Sequence, residues 1–438
     1  MSPASSRILA YLAFLFLPLM AMVIFHPPNQ DTFLYNLGRC CGLLGFAILI
    51  GQVILAARLK WVEKPFGLNI TFPFHRRMGV FAALLLITHP ILLALGGSGW
   101  DLLIGLKVDW FIWPAKAALL LLLTNVFVSI RRASLGIKYE KWRQWHDFLG
   151  PTILGLVFVH SWYAGEDLTK IPLQVLWVGL LALGVCLFGY HRLIRPRRLS
   201  RHPYRIVEVR QETPQVWTLK FAPPAGEKRF DFLPGQFQFV TLLRGEGLPV
   251  EEHHFTISSS PAEPGFHTST IKASGDFTAT IGQTRVGDLA VVQAPFGRFS
   301  YLVHPEAREL VFIAGGIGIT PLMSNLRHMR DTGADRRVLL LYSNKSEADI
   351  VFKEELDGMA GGEKPNLQVV HILTQPSSAW QGETGRLDRE KLQRLCGEQL
   401  ARSTFLLCCP PPMIRSLVAI LTDLGVPTSR ISYEYFSL

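Results

Sequence analysis

Long apolar runs dominate the first 190 residues, and short alternating runs follow them. Six apolar segments can be drawn, at roughly 8–25, 34–57, 76–95, 112–130, 146–163 and 172–191. Each is close to the ~20 residues that a helix needs to cross a bilayer. Pro18, Pro90 and Pro151 fall inside them, which membrane helices tolerate better than soluble ones. The first segment has no small-residue cleavage site near "MAMVIFHPP" and only Arg7 as a basic flank, so it reads as a span and not as a cleaved signal. Past residue 200 the period changes. "RIVEVRQ", "VWTLKFA", "QFQFVTLL", "HHFTISS" and "TSTIKAS" are short β-rich runs between Pro/Gly turns, which predicts a small antiparallel barrel over 202–302. "ELVFIAGGIGITPLMSNLRHM" then reads as a buried strand, a glycine-rich turn and a helix. "RRVLLLYSN", "LQVVHILTQ" and "STFLLCCPPPMI" supply further strands, which predicts a parallel α/β sheet over 305–438. The expected fold is a six-span helical bundle over 1–195, followed by these two lobes.

Composition agrees and adds an orientation. The chain has 438 residues, 49% of them hydrophobic, with a net charge of +10. Fifteen basic residues follow spans two, four and six, against Lys107 and Lys170 in the opposite loops. The positive-inside rule then puts both termini and the soluble half in the cytoplasm. Basic clusters beside membrane helices orient them and touch anionic lipid, so the expected partner is the bilayer and not nucleic acid. The six cysteines include two adjacent pairs, Cys40/Cys41 and Cys408/Cys409, and no C-x-x-C, so neither a disulfide frame nor an iron–sulfur site is expected.

Four histidines stand in the apolar part. His75 and His89 are 14 apart, and so are His146 and His160. Fourteen helical residues close to within about 40° of four turns and rise roughly 21 Å. Spans three and five are both odd-numbered and therefore parallel. Side by side they present two facing pairs, His75/His146 toward the cytoplasm and His89/His160 toward the outside. Single histidines of this kind also serve as hydrogen-bonded helix contacts or sit at the headgroup boundary. Four of them, paired at identical spacing, favour bis-imidazole ligation of two b-type haem irons. Arg39, in the outer half of span two, either meets an outer haem propionate, polarises an acceptor, or snorkels to the surface.

The glycine-rich "AGGIGITP" at a strand end suits phosphate binding at a helix N-terminus. With "FLPGQF", "HHFTISSSP", "IKASGDFT", "PFGRF" and "CCPPPMI" in that order, the soluble half resembles the ferredoxin–NADP reductase family. Joined to paired histidines on six spans, the chain resembles the NADPH oxidase/ferric reductase superfamily in a compact, bacterial-type form. That resemblance implies FAD contacts from Pro234, Gly235, Gln236, His253, Phe255, Thr256 and Ser258. It puts Lys272 and Thr278 near the FAD pyrophosphate. It implies NAD(P)H contacts from Gly315, Gly316, Gly318, Thr320 and Pro321, with Cys408 and Pro410 near the nicotinamide. Ser343 and Lys345 fall where a 2′-phosphate of NADPH would lie, and Phe436 either stacks on the isoalloxazine or packs in the last strand. Two departures stand out. His254 replaces the family's proline, and Cys409 replaces its glycine.

The resemblance implies electron transfer from cytoplasmic NADPH or NADH, through FAD and two haems, to an extracytoplasmic small-molecule acceptor, either oxygen or a ferric chelate. A bacterial inner membrane is the expected location, and no obligatory subunit is evident. A membrane-tethered flavin reductase serving a cytoplasmic protein, or a haem-binding sensor, are the rival readings.

Overall fold

The computed structural model describes residues 2–25 and 31–435. It divides into two compact units, Met1–Arg197 and Arg198–Leu438.

The first unit is helical. Its elements are α1 (Pro3–Phe25), α2 (Phe33–Ala56), α3 (Lys60–Phe66), α4 (Leu68–Leu93), α5 (Asp101–Ile104), α6 (Ile112–Arg131), α7 (Tyr139–Ala164) and α8 (Ile171–Gly189), and the short α9 (Arg195–Ser200) spans the boundary in the chain. Five helical stretches are long and apolar enough to cross a membrane: Pro3–Phe25, Phe33–Ala56, Leu68–Ser98, Ile112–Arg131 and Ile171–Ser200. The fifth expected span lies in α7, which is as long as α4 at 26 residues but more polar. Its charges, Glu140, Lys141, Arg143 and Asp147, all lie in its first nine residues, and the 17 residues from Phe148 to Ala164 carry none. Apolar side chains cover the outside of this unit, among them Leu9, Val23, Phe33, Ile171 and Val175. A water-facing bundle would bury such residues, whereas lipid solvates them. Inside, Phe46 stacks on Trp177 at 4.7 Å, amid Ile50, Leu154 and Leu180.

The second unit carries two sheets. β1 (Tyr204–Thr213), β2 (Val216–Ala222), β3 (Phe237–Leu243), β4 (Glu252–Thr256), β5 (His267–Lys272) and β6 (Leu289–Phe296) form an antiparallel sheet in the order β4-β3-β6-β1-β2-β5. The edges approach each other beyond β4, where the Ser258 N–H donates to the Thr268 carbonyl at 2.8 Å. β7 (Glu309–Gly315), β8 (Arg337–Asn344), β9 (Asn366–Leu373), β10 (Glu383–Thr384), β11 (Thr404–Cys408) and β12 (Ile431–Glu434) form a parallel sheet in the order β10-β9-β8-β7-β11-β12. Helices α10 (Ile319–Thr332), α11 (Lys353–Ala360), α12 (Arg389–Cys396) and α13 (Pro411–Asp423) complete the unit. The parallel strands are apolar on both faces because each face packs into its own core.

The antiparallel core contains a histidine. His267 is fully buried, stacks on Phe221 at 5.0 Å, and donates from Nε2 to Gln238 Oε1 at 2.8 Å. Burial, aided by Arg229, pushes its pKa down to about 3. The folded state therefore keeps it neutral while the unfolded chain protonates it below 6.5. Its stabilisation is complete above pH 6.5 and falls with pH toward 3, by about 1.4 kcal/mol per pH unit. Thermal unfolding followed by flavin release should show a shallower acid dependence in His267→Phe than in wild type. The variant is weaker at pH 7.5, because Gln238 loses its donor, but loses less on going to pH 4.5. Parallel curves would refute this.

Candidate functional site

The four histidines pair across α4 and α7. In each 26-residue helix they occupy the eighth and twenty-second positions. His75 and His146 have ring centroids 6.1 Å apart, and His89 and His160 stand at 6.4 Å. Two imidazoles bound through Nε2 at about 2 Å to one metal between them stand roughly 6 Å apart, centroid to centroid. Both pairs meet that spacing. The other ring nitrogen is occupied in three cases. His89 Nδ1 donates to the Gly38 carbonyl at 2.8 Å, His160 Nδ1 to the Phe111 carbonyl at 3.1 Å, and His146 Nδ1 to Asn125 Oδ1 at 3.1 Å. Those bonds place the proton on Nδ1 and leave the Nε2 lone pair for a metal. His75 Nδ1 is buried and has no hydrogen-bond partner among the described residues. The donor set therefore fits bis-imidazole haem ligation.

Beside His89 and His160 lies a cavity of about 430 Å³, within the range of cofactor sites. Arg39, Lys116, Asp109 and Trp177 also line it. Arg39 sits 3.4 Å from Asp31 as an ion pair. Lys116 donates to the Gly105 carbonyl at 2.5 Å. Helix α2 approaches α4 through glycines. A Cβ on Gly42 would stand 2.9 Å from His89 Nδ1, and one on Gly38 would stand 3.1 Å from Leu92 and Leu93. Small residues let membrane helices approach closely.

In the second unit the sequence-selected residues lie on β4 and the segment after it, in the loop before β3, around the end of β5, and at the carboxyl ends of the parallel strands. Strand alternation puts His253 and Phe255 on one face of β4. There His253 stacks on Phe277 at 4.1 Å and accepts or donates at 3.0 Å with Glu251. His254 lies on the other face, with ring contacts to Phe237 and Phe239. The departure from proline therefore points away from the His253/Phe255 face. Thr256 shares the face of His254. Ser258 is fully buried, and its hydroxyl is engaged by Thr268 and Thr270, so the backbone is what it can offer a ligand.

The loop before β3 holds Pro234, Gly235 and Gln236. Gly235 has φ +86 and its N–H donates to Ser324 Oγ at 3.1 Å. Gln236 braces the loop, accepting from Leu233 N at 2.8 Å and donating to the Gly297 carbonyl at 2.8 Å. Thr278 Oγ1 accepts from Ser274 N and Gly275 N and so closes the turn after β5. Lys272 and Lys345, selected for two different cofactors, line one cleft of about 250 Å³ with Gln215 and Asp349.

In the parallel sheet the order reverses at β7, with β8 on one side and β11 on the other. Ligands of such sheets bind at the carboxyl ends of the strands beside the reversal. Gly315 ends β7, Gly316 has φ +54, and Gly318 caps α10. A Cβ on Gly315 would lie 2.8 Å from Pro410 Cδ, so the two loops abut. Thr320 is buried and bonds the Ile317 carbonyl at 3.0 Å, and Pro321 follows it in the first turn of α10. Ser343 is the residue of β8 that pairs with Gly315. Cys408 is buried, and burial raises its thiol well above the usual range. It therefore stays protonated and contributes shape, not a nucleophile. Cys409 is turned into the opposite core, its Sγ 3.4 Å from the Ile313 carbonyl and its pKa pushed up to about 12. That departure from glycine does not project into the crevice. Phe436 lies outside the described residues.

Sequence reasoning missed the supports. Arg327 on α10 is buried, forms a two-pronged pair with Glu355 at 2.9 and 2.6 Å, and donates to the Ser258 carbonyl at 2.7 Å. The arginine pair holds the Glu355 carboxyl below its usual range against the cost of burial. Ser324 Oγ donates to the Ser259 carbonyl at 2.7 Å. One helix thus links the glycine-rich turn to the β4 segment.

Comparison with known proteins covers both units. Residues 41–163, which include all four histidines, match the ferric reductase like transmembrane component family. Residues 312–418 match the oxidoreductase NAD-binding domain family. The NADH–cytochrome b5 reductase 1 of Arabidopsis thaliana is 35% identical over 59% of this chain and 96% of its own length. The glycine betaine monooxygenase reductase subunit of Pseudomonas aeruginosa is 34% identical over 54% of this chain and 64% of its own. The solved flavohemoglobin of Malassezia yamatoensis, 19% identical, shares the fold at a TM-score of 0.50 over 92% of this chain and 96% of its own.

Proposed function

Because the chain belongs to the ferric reductase/NADPH oxidase-like proteins, a ferric reductase transmembrane domain joined to an FAD- and NAD-binding reductase, we propose that it moves electrons across a membrane. It is an integral membrane, NAD(P)H-dependent oxidoreductase. The proposed route runs from cytoplasmic NAD(P)H to a small acceptor on the far side, either oxygen or a ferric chelate. The observation that carries it is the pair of imidazole couples on α4 and α7, at 6.1 and 6.4 Å.

We read α7 as the sixth span, its charges at the cytoplasmic end, with both termini on that side in a bacterial inner membrane. We also read the antiparallel sheet as a barrel, on the strength of the Ser258–Thr268 bond. When bound, FAD accepts a hydride and releases electrons singly, and bis-imidazole haem iron carries them one at a time. The chain's own residues position these groups. Gly315, Gly316 and Gly318 open backbone N–H groups to the nucleotide phosphates at the start of α10. His253 and Phe255 offer an aromatic face to the flavin, and the Lys272/Lys345 cleft suits phosphate charge. His75 and His146 would form the inner site, His89 and His160 the outer. Arg39 would balance charge beside the outer pair.

Purified protein should give a b-type dithionite-minus-oxidised spectrum, and NAD(P)H with FAD should produce the same spectrum anaerobically. Absence of the b-type signal would sink the relay and favour a tethered flavin reductase. Haem that NAD(P)H cannot reduce would favour a sensor. Cytochrome c reduction with and without superoxide dismutase then separates oxygen from other acceptors.

A further inference from the structure

We infer that Asn125 is a positioning residue for the inner site: its side-chain carbonyl fixes His146 and sets the potential of the iron bound there. The inference rests on the two-haem reading above.

Asn125 interrupts the apolar stretch "LLLLLTNVFVSI" of α6. A polar residue in such a segment is costly unless it has work to do. Its Oδ1 accepts from His146 Nδ1 at 3.1 Å. A short chain of bonds ties this turn of α6 to α7. Ser129 Oγ donates to the Asn125 backbone carbonyl at 2.6 Å, and Trp142 Nε1 donates to Ser129 Oγ at 3.1 Å. Trp142 sits one turn before His146 on α7, with its ring 5.1 Å from the imidazole and tilted by 30°. The imidazole is thus held by its own helix through the indole, and by α6 through the amide.

Among the described residues the four ligand candidates differ in this second contact. His89 and His160 donate to backbone carbonyls, which no substitution of that residue removes. His75 Nδ1 has no bonded acceptor. Asn125 supplies the one side-chain acceptor. An acceptor on Nδ1–H makes the imidazole a stronger donor to iron, and this favours the ferric state and lowers the potential. The inner site therefore has one polarised ligand, and that polarisation depends on a single amide.

Redox titration of the b-type band in the full-length protein tests this. The inner component is assigned as the one lost in His75→Ala. Asn125→Leu should raise the midpoint of that component and leave the other in place. Asn125→Asp, which restores an oxygen acceptor, should return it to the wild-type value or below. Asn125→Ala serves as a second removal if leucine prevents haem retention. The inference is overturned if both removals leave both midpoints unchanged, if both components move together, or if aspartate moves with leucine. A wild-type protein without any b-type signal defeats the two-haem reading instead, so the two failures are separable.

Discussion

Gly235→Ala empties the flavin site and destabilises the reductase unit, whereas Gly247→Ala does neither to the same degree. The two glycines have nearly the same backbone conformation, φ +86 and +85. An alanine at either position carries a comparable left-handed penalty, on the order of 1–2 kcal/mol. Their surroundings differ. A Cβ on Gly247 meets nothing within 4 Å. A Cβ on Gly235 would overlap the Phe299 carbonyl oxygen and sit 2.6 Å from Asn325 Nδ2. Neither neighbour can yield cheaply. The first is backbone, and Asn325 is fully buried, with Oδ1 accepting from Tyr301 N at 2.9 Å and Nδ2 donating to the Pro321 carbonyl at 2.6 Å. The loop must therefore move, and the Gly235–Ser324 bond goes with it. Overpacking adds roughly 1–3 kcal/mol to the backbone strain. Flavin absorbance per protein and the unfolding temperature read the result. Gly247→Ala should keep its FAD with a shift of a few degrees, while Gly235→Ala should purify largely without flavin. Equal behaviour of the two variants would show that the packing of this loop against α10 is not what matters.

That contrast marks where sequence stops being informative. Gly235 is visible as part of "FLPGQF", but the reason for its glycine is not. It lies in Phe299 and Asn325, some 64 and 90 residues further on. The same holds for Arg327, which reads as an ordinary polar position on an amphipathic helix until Glu355 and the Ser258 carbonyl close around it. The histidine pairs were legible because a spacing of 14 is a property of one helix, and two helices with the same spacing need only be parallel neighbours. Helix starts were not. Both α4 and α7 begin seven residues before their first histidine, and in α7 those residues, "YEKWRQW", are polar and charged, so a hydropathy reading assigns them to a loop. Strand β6, "LAVVQAPF", was missed because Pro295 falls within it. Strands β10 and β12, of two and four residues, exist only through pairing with β9 and β11. His254 and Cys409 show the converse limit. Each breaks a family motif in sequence, yet strand alternation turns His254 away from the His253/Phe255 face, and Cys409, just past β11, is packed into the opposite core.

On the two-haem reading proposed above, Gly42→Val should cost the protein its outer haem almost as completely as His89→Ala does, while sparing the inner one. The glycine sits on α2 directly against the imidazole, with a built Cβ 2.9 Å from Nδ1 and 3.0 Å from Cε1 of His89. Valine adds two further methyls. The ring cannot retreat from the new side chain without losing its bond, since Nδ1 is held by the Gly38 carbonyl one turn earlier on the same helix as Gly42. Displacing the ring breaks that bond, frees the tautomer, and moves Nε2 off the line to His160. A ligand set needs positions held within about 0.5 Å to bind its metal well. Gly45→Ala, by contrast, meets the Leu86 side chain at 2.7 Å, which can change rotamer, so a partial effect is expected. Gly155→Ala on α7 meets nothing within 4 Å and should be neutral or stabilising by about 0.5–1 kcal/mol, because alanine is the better helix former. The haem-to-flavin ratio from the reduced b-type band gives the readout. It should be near two in wild type and Gly155→Ala, and near one in Gly42→Val and His89→Ala, with the surviving component at its wild-type midpoint. Retention of both haems in Gly42→Val would mean that α2 does not clamp His89, and that α4 and α7 alone set the outer site.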